Sequence, residues 1–159
     1  MEADIVTANE AFYAAFRDED VAAMDALWSQ TAPVACVHPG WPALIGRDQV
    51  MASWRAIISN GAPPIRCGAA RVLMLGDVAQ VICEERIGDG RLIATNVFVR
   101  EATGWAMVHH HASQVVAPAP TTADEDDDTD DSDDADDIDD ADDLDDALPK
   151  PPKPDVGPN

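Results

Sequence analysis

Three groups of polar side chains stand out from apolar surroundings, and their types are suited to chemistry. The first is the His-Pro-Gly-Trp segment at 38–41, the second is Asn96 within the mostly apolar segment 94–99, and the third is the His-His-His-Ala-Ser segment at 109–113. An imidazole can take up a proton near neutral pH, and a side-chain amide both donates and accepts hydrogen bonds. These residue types predict a site that binds a small molecule or transfers a proton.

The periodicity of the apolar residues predicts the elements that position these groups. Spacings of three and four residues predict helices over about 4–17, from about 20 onward, and over about 47–59. A short, partly β-branched run at 33–38 ends at a Pro-Gly pair and predicts a strand. Four longer strands follow, separated by turns that contain glycine: 65–75, 78–87, 92–101 and 105–115.

Helices first and strands later predict an α+β fold, with the helices packed on one face of the sheet. Short connections between consecutive strands make that sheet mainly antiparallel. Strands of this length twist and curl, so the sheet should enclose a hollow beneath the helices. Such a hollow is a suitable place for a small ligand.

Alternation of side chains along the last strand decides which of its imidazoles face the interior. In a regular strand His109, His111 and Ser113 lie on one face with the apolar side chain of Met107. We expect that face to be buried, so that the three polar side chains line the hollow. His110 is expected to point the other way, with its hydrogen bonds satisfied by neighbours.

A metal site built from His38, His109 and His111 is chemically conceivable, because neutral imidazoles bind zinc. No carboxylate or thiolate joins them at a diagnostic spacing, so no metal and no cofactor are expected. Ser113 lies on a predicted strand without the sharp turn that exposes a catalytic serine, so a Ser-His-Asp triad is not favoured.

The charge distribution divides the chain at about residue 117. Of the net charge of −21, residues 1–117 carry −5 and residues 118–159 carry −16. We therefore predict a globular domain over 1–117 and a disordered acidic tail over 118–159. An acidic chain without a basic stripe is a poor partner for nucleic acid or anionic membranes. No run of 18 apolar residues, no basic and apolar leader and no C-x-x-C motif occur, so we expect a cytoplasmic protein whose three cysteines are buried and reduced.

The tail consists of seven consecutive Asp-Asp-x repeats from residue 127, followed by a segment rich in proline and lysine. Adjacent carboxylates repel one another and the repeats bury little, so the tail is interpreted as a solvating appendage. Weak capture of a basic partner or of calcium is the alternative. No glycine-containing calcium loop is present, so an ordered calcium site is not expected.

The motifs along residues 4–116 resemble the SnoaL-like branch of the nuclear transport factor two-like superfamily. The resemblance implies a cystatin-like cone, a homodimer formed through the outer side of the sheet, and a pocket at the wide end. The resemblance rests on these segments: Phe-Tyr-Ala-Ala-Phe at 12–16, Asp-Val-Ala-Ala-Met at 20–24, Leu-Trp at 27–28, His-Pro-Gly-Trp at 38–41, Leu-Ile-Gly-Arg at 44–47, Ser-Trp at 53–54, Gly-Asp at 76–77, Asn-Val-Phe at 96–98 and the whole of segment 105–113.

The resemblance also suggests roles for individual residues. In the isomerase-like members a general-base Asp precedes a proline at the end of the first strand, and His38 stands there in this chain. A second acidic residue, which donates a hydrogen bond, corresponds to Asn96, and a first-helix tyrosine corresponds to Phe12. His38 could then serve as a base and Asn96 as an oxyanion donor. The expected ligand-lining residues are Phe12, Trp41, Trp54, Phe98, His109, His111 and Ser113.

Three functions remain open at this level. The domain could bind a small, largely apolar ligand without converting it. It could be a proton-transfer enzyme of the isomerase or cyclase type. It could also be a homodimeric assembly module in which the hollow has no catalytic role.

Overall fold

The computed structural model describes residues 2–61 and 63–116. The boundary at residue 117 and the acidic tail predicted over 118–159 lie outside the described residues. Three helices occupy the first half of the described chain: α1 (Glu2–Arg17), α2 (Val21–Leu27) and α3 (Arg47–Ser59). None of the helices within 2–61 and 63–116 combines the length and apolar character needed to cross a membrane.

Sequence and structure agree closely on the helices. The third helix has the predicted bounds, and the first begins two residues earlier than expected. The Asp20 side chain accepts a hydrogen bond of 2.9 Å from the backbone N–H of Ala23, which caps the start of α2. Apolar residues on α1 recur on one stripe that faces the sheet, and Ile5, Phe12 and Phe16 are almost fully buried.

Six strands of the described chain form one sheet in the order β2-β1-β6-β5-β4-β3. Strands β3 to β6 are an antiparallel meander, as predicted, whereas β1 runs parallel to β6. The strand β2 was not predicted, because two residues are too few to show alternation. The strands are β1 (Ala35–Val37), β2 (Leu44–Ile45), β3 (Ile65–Leu75), β4 (Val78–Ile87), β5 (Gly90–Glu101) and β6 (Gly104–Gln114).

The helices cover the inner face of the curled sheet, and the main core lies between the two layers. Aromatic rings fill much of this space: Phe12 packs edge to face on Trp54 at 5.3 Å, and both are nearly fully buried. On β5 the side chains of Asn96 and Phe98 both face this core, which confirms the predicted orientation of that strand.

A β-bulge interrupts the last strand and changes which histidines face inward. Val97 pairs with His109 and the next residue, Phe98, pairs with Met107, so Val108 is an extra residue without a partner on β5. An extra residue reverses the alternation of side chains beyond it. Met107 is buried before the bulge, and beyond it His110 is the buried histidine.

The orientation predicted for the last strand is therefore wrong. His111 and Ser113 are exposed, and His109 lies half-buried on the outer side of the sheet. His110, which was expected to point away from the hollow, is only 4% exposed and lies inside it. The physical reason is the bulge at Val108, since strict alternation holds only along an uninterrupted strand.

Candidate functional site

His38 lies just after β1, where the chain turns under helix α3. Its Nε2 atom is 2.9 Å from the Ser53 hydroxyl, and its ring contacts Trp41 and Trp54 with centroid distances of 4.8 and 4.6 Å. Burial lowers the pKa of His38 to about 4, because the charged imidazolium would lose its hydration. His38 is therefore a neutral imidazole at pH 7 and a weaker base than an exposed histidine.

Asn96 lies at the centre of the buried face of β5, and every polar atom of its amide has a partner. Its Nδ2 group donates to Asn9 Oδ1 at 2.7 Å and to the Tyr13 hydroxyl at 3.3 Å. Its Oδ1 atom accepts from His110 Nδ1 at 2.7 Å, which places the proton of that imidazole on Nδ1. The amide thus links helix α1 to strands β5 and β6.

The same hydrogen-bonded system continues to β4. The Tyr13 hydroxyl donates to Glu85 Oε1 at 2.7 Å and lies 3.1 Å from Cys83 Sγ. We call the set His110, Asn96, Asn9, Tyr13, Glu85 and Cys83 the interior polar chain; all six residues are buried.

Burial shifts the ionisation of the interior polar chain toward neutral forms. It raises the pKa of Glu85 to about 7, although the hydrogen bond from Tyr13 opposes that shift. Burial raises the pKa of Tyr13 as well, and the neighbouring Glu85 carboxylate adds to the effect. The pKa of His110 lies well below its ordinary value, mainly through burial and secondly through the nearby imidazole of His38.

The predicted catalytic pair does not meet directly. The imidazole of His38 is 6.4 Å from that of His110, and His110 bonds to Asn96, so one imidazole separates the two predicted residues. Both donor hydrogens of Asn96 are already engaged. An oxyanion could use this amide only if a bond to Asn9 or Tyr13 were broken. The catalytic roles of His38 and Asn96 stay predictions.

The predicted ligand-lining residues fall into two groups. Phe12, Trp54 and Phe98 are packed in the interior with at most 3% exposure, and Phe12 lies 5.1 Å from the His110 ring. The indole N–H of Trp54 is buried without a hydrogen-bond partner. Phe12 and Trp54 thus contact the interior polar chain at His110.

The second group meets at a surface pocket of about 270 Å³, which we call the rim pocket. It lies between the turn after β1 and the end of β6. Four of the predicted site residues belong to its lining, although two of them were expected on the interior wall. The lining consists of Val37, His38, Pro39, Gly40, Trp41, His111, Ala112, Ser113 and Gln114.

His109 belongs to neither group. It pairs with Val97 on the outer side of the sheet, and its ring lies 6.2 Å from that of His111. Burial, as the largest cause, lowers the pKa of His109. Within 2–61 and 63–116, no group of three or more His, Cys, Asp or Glu side chains is placed to hold a metal ion.

Sequence reasoning missed several members of the buried polar system, namely Asn9, Tyr13, Ser53, Glu85 and His110. For two of them a signal was present. Asn9 falls on the buried stripe of α1, four residues after Ile5 and three before Phe12. Glu85 continues an inward alternation with Val81 and Cys83 on β4, so a carboxyl was predictable at an inward position.

Comparison with known proteins assigns the fold and its family. Residues 5–118 match the model of the SnoaL-like domain, and the chain belongs to this family. This confirms the resemblance and the predicted cystatin-like α+β fold. The same fold is found in a solved cystatin-like protein from Novosphingobium aromaticivorans, which is 20% identical, with a TM-score of 0.56 over 74% of this chain and 84% of that chain.

Two solved structures share more of the sequence. A proposed dehydratase of the NTF2-like family from Streptomyces avermitilis is 34% identical, with a TM-score of 0.67 over 72% of this chain and 96% of that chain. A proposed calcium/calmodulin-dependent protein kinase type II association domain from Thiobacillus denitrificans is 38% identical, with a TM-score of 0.61 over 68% of this chain and 92% of that chain.

A curated relative is also similar. The F-box protein SKIP8 of Arabidopsis thaliana is 30% identical over 112 residues, which make up 69% of this chain. The match spans 48% of the plant protein, so the chain covers about half the length of that relative.

Proposed function

We propose that this SnoaL-like domain binds a small molecule in the rim pocket without converting it. The observation that carries the proposal is the convergence of His38, Trp41, His111 and Ser113 on one concave surface. In the interior, by contrast, Asn96 and His110 are bonded to each other and the aromatic rings are packed together. At the rim, His111 and Ser113 are exposed and accessible to a guest, whereas the polar side chains of the interior are bonded to one another.

The lining indicates the chemistry of the ligand. Trp41 and the neighbouring Pro39 offer apolar surface, while His111, Ser113 and Gln114 offer donors and acceptors. Among the described residues, none of those that line this pocket is Asp, Glu, Lys or Arg, so an ionic ligand would lose hydration without gaining a counter-charge from them. We therefore expect an uncharged ligand with one apolar face, of fragment size because the pocket is below the usual range for drug-sized compounds.

A ligand screen tests the proposal. Uncharged fragments should raise the melting temperature of the protein, since a ligand that binds only the folded state stabilises it. Titration calorimetry of a hit should show weaker binding for His111→Ala and Ser113→Ala. His109→Ala is the matched control, because this histidine lies on the same strand outside the pocket lining. Equal binding by all three variants would place the ligand elsewhere and overturn the proposal.

Turnover distinguishes binding from the enzyme alternative. A bound fragment that is a ketone or lactone is incubated with the protein and followed by NMR. Recovery of the unchanged compound supports a binding module. Conversion that disappears in His38→Gln would support the proton-transfer alternative and overturn the non-catalytic assignment.

A specific observation favours self-association as a second candidate function. Leu73 and Leu75 on β3 and Ile93 on β5 are exposed by 47%, 63% and 39%, and all three lie on the outer face of the sheet, away from the helices. Apolar groups gathered on one sheet face are typical of contact surfaces. The similarity to a proposed kinase association domain is consistent with this candidate.

Light scattering coupled to size exclusion tests self-association. We expect the protein to elute as a dimer and Leu73→Glu to shift it toward monomer, because a buried unpaired carboxylate is costly. Val116→Glu is the control, since Val116 is also apolar and is 88% exposed but lies beyond the end of β6, outside the sheet. A monomeric unmodified protein would contradict this candidate.

A further inference from the structure

The two cysteines of the β3–β4 hairpin differ in exposure, contrary to the expectation of three buried thiols. Cys83 is 1% exposed, whereas Cys67 is partly exposed because β3 is an edge strand of the sheet. Cys67 pairs in register with Glu85, and Cys83 lies two residues before Glu85 on the same inner face of β4. The two cysteines are therefore diagonal neighbours across one strand pair.

Each thiol shifts the pKa of the other. A hydrogen bond between them, as the largest cause, lowers the pKa of Cys67 and raises that of Cys83. Asn9 Nδ2 also donates to Cys67 Sγ, at 3.8 Å. Hydrogen bonds to Cys67 thus favour its thiolate, and the thiolate is the reactive form of cysteine.

The backbone beside Cys67 is irregular, which gives the pair room to approach. The register shifts between Gly68 and Arg71, and Ala69 within this bulge has a φ of 51°. A disulfide needs a sulfur separation of about 2.05 Å, closer than a hydrogen-bonded pair. A bulged edge strand can adjust locally more easily than a regular central strand. A surface pocket of about 180 Å³ whose lining includes Cys67 gives small molecules access to this edge.

We propose that Cys67 and Cys83 are a redox-active dithiol, with Cys67 as the thiol that reacts with a peroxide and Cys83 as the thiol that closes the disulfide. The Cys67 thiolate attacks one peroxide oxygen: an S–O bond forms, the O–O bond breaks, and the released alkoxide or hydroxide takes up a proton. Cys83 then attacks the resulting sulfenic acid, an S–S bond forms, and the hydroxyl leaves as water with the proton of Cys83. The two thiols supply two electrons, and the peroxide is reduced.

Peptide mapping of the full chain tests this directly. The reduced protein is treated with hydrogen peroxide, remaining thiols are alkylated in denaturant, and the protein is digested with trypsin without reduction. Cleavage after Arg66, Arg71 and Arg86 separates the two cysteines onto peptides 67–71 and 72–86. We expect these peptides to appear covalently joined and lighter than their sum by two hydrogen atoms, with loss of both free thiols. Treatment with dithiothreitol should restore both free thiols.

Two variants assign the roles. In Cys83→Ser, Cys67 should remain a sulfenic acid that dimedone captures, because no partner closes the disulfide. In Cys36→Ser the joined peptides should form as before, since Cys36 is fully buried on β1. Peptide mapping of the unaltered chain tests the disulfide whether or not either variant folds. Full alkylation of Cys67 and Cys83 after peroxide, or linkage between chains instead of within one, would overturn the proposal.

Discussion

The interior polar chain and the rim pocket contain similar side chains that have different roles, and two adjacent histidines on β6 mark the boundary between them. His110 is buried and donates to Asn96 at 2.7 Å, whereas His111 is exposed and lines the rim pocket. Within the interior polar chain, each residue is hydrogen-bonded to another member. At the rim, His111 and Ser113 are exposed. The comparison indicates that burial decides whether a polar residue holds the fold together or is available to a ligand.

The energetic difference follows from desolvation. A buried amide or carboxyl that loses its partner cannot recover a hydrogen bond from water, so the loss costs about 1–3 kcal/mol for each group. An exposed group at the rim, such as His111 or Ser113, exchanges its partner for water at little net cost. Substitutions should therefore act on different quantities: stability for the buried residues and affinity for the exposed residues of the rim.

The largest expected effect is at Asn96. Asn96→Ala should lower the free energy of unfolding by about 4 kcal/mol, because it leaves Asn9 and His110 without their partners and opens a small cavity. Urea denaturation measures the change. Ser113→Ala at the rim is the reference, and a loss for Asn96→Ala no larger than for Ser113→Ala would break the comparison.

The next effect concerns pH and Glu85. Its pKa is raised to about 7 in the folded protein, so the folded state holds its proton over a range in which the unfolded state has lost it. Stability should therefore fall as pH rises from about 4.5 to about 7, by up to about 3 kcal/mol. Glu85→Gln cannot ionise and should remove this fall. Denaturation curves at several pH values check the prediction, and identical pH profiles for both proteins would contradict it.

His38 should show the opposite dependence on pH, of similar size. Its pKa is lowered to about 4, so the unfolded state takes up a proton first as the pH falls. The stability that this group contributes is present above pH about 6.5 and is lost toward pH 4, by up to about 3 kcal/mol. His38→Gln should flatten that part of the profile. If the stability of His38→Gln fell with acid as steeply as that of the unaltered protein, His38 would be excluded as the cause of the loss.

The smallest effect is expected at His111. His111→Ala should change the free energy of unfolding by less than about 0.5 kcal/mol, because an exposed side chain has no buried partner to lose. The adjacent substitution His110→Ala should cost several times more, since it leaves the Asn96 carbonyl unsatisfied. Thermal unfolding of both variants provides the measurement. Equal destabilisation would mean that the two neighbours are not divided between interior and rim.

Local sequence patterns were enough for most of the fold. The helical spacing of Ile5, Phe12 and Phe16 predicted α1, and the segment 47–59 predicted α3 with its observed bounds. Gly76 at φ 71° ends one strand where a tight turn needs a left-handed residue. These features depend on residues close together in the chain, which is why periodicity and turn chemistry were sufficient.

The candidate site was only partly predictable. The inward position of Asn96 followed from alternation along β5, and His38 and Trp41 were identified from the turn after β1. The partners of Asn96 were not predictable, because Asn9 is 87 residues away along the chain. Such a contact exists only once α1 lies across the sheet.

The order of helices and strands, and the family pattern that they carry, could be predicted from the chain alone. Which histidine of the 109–111 run lies inside depends on the assembled sheet. The bulge at Val108 arises from how β6 pairs with β5, and it shifts every later side chain to the opposite face. Pairing between strands is a long-range property, so alternation along a single strand could not reveal it.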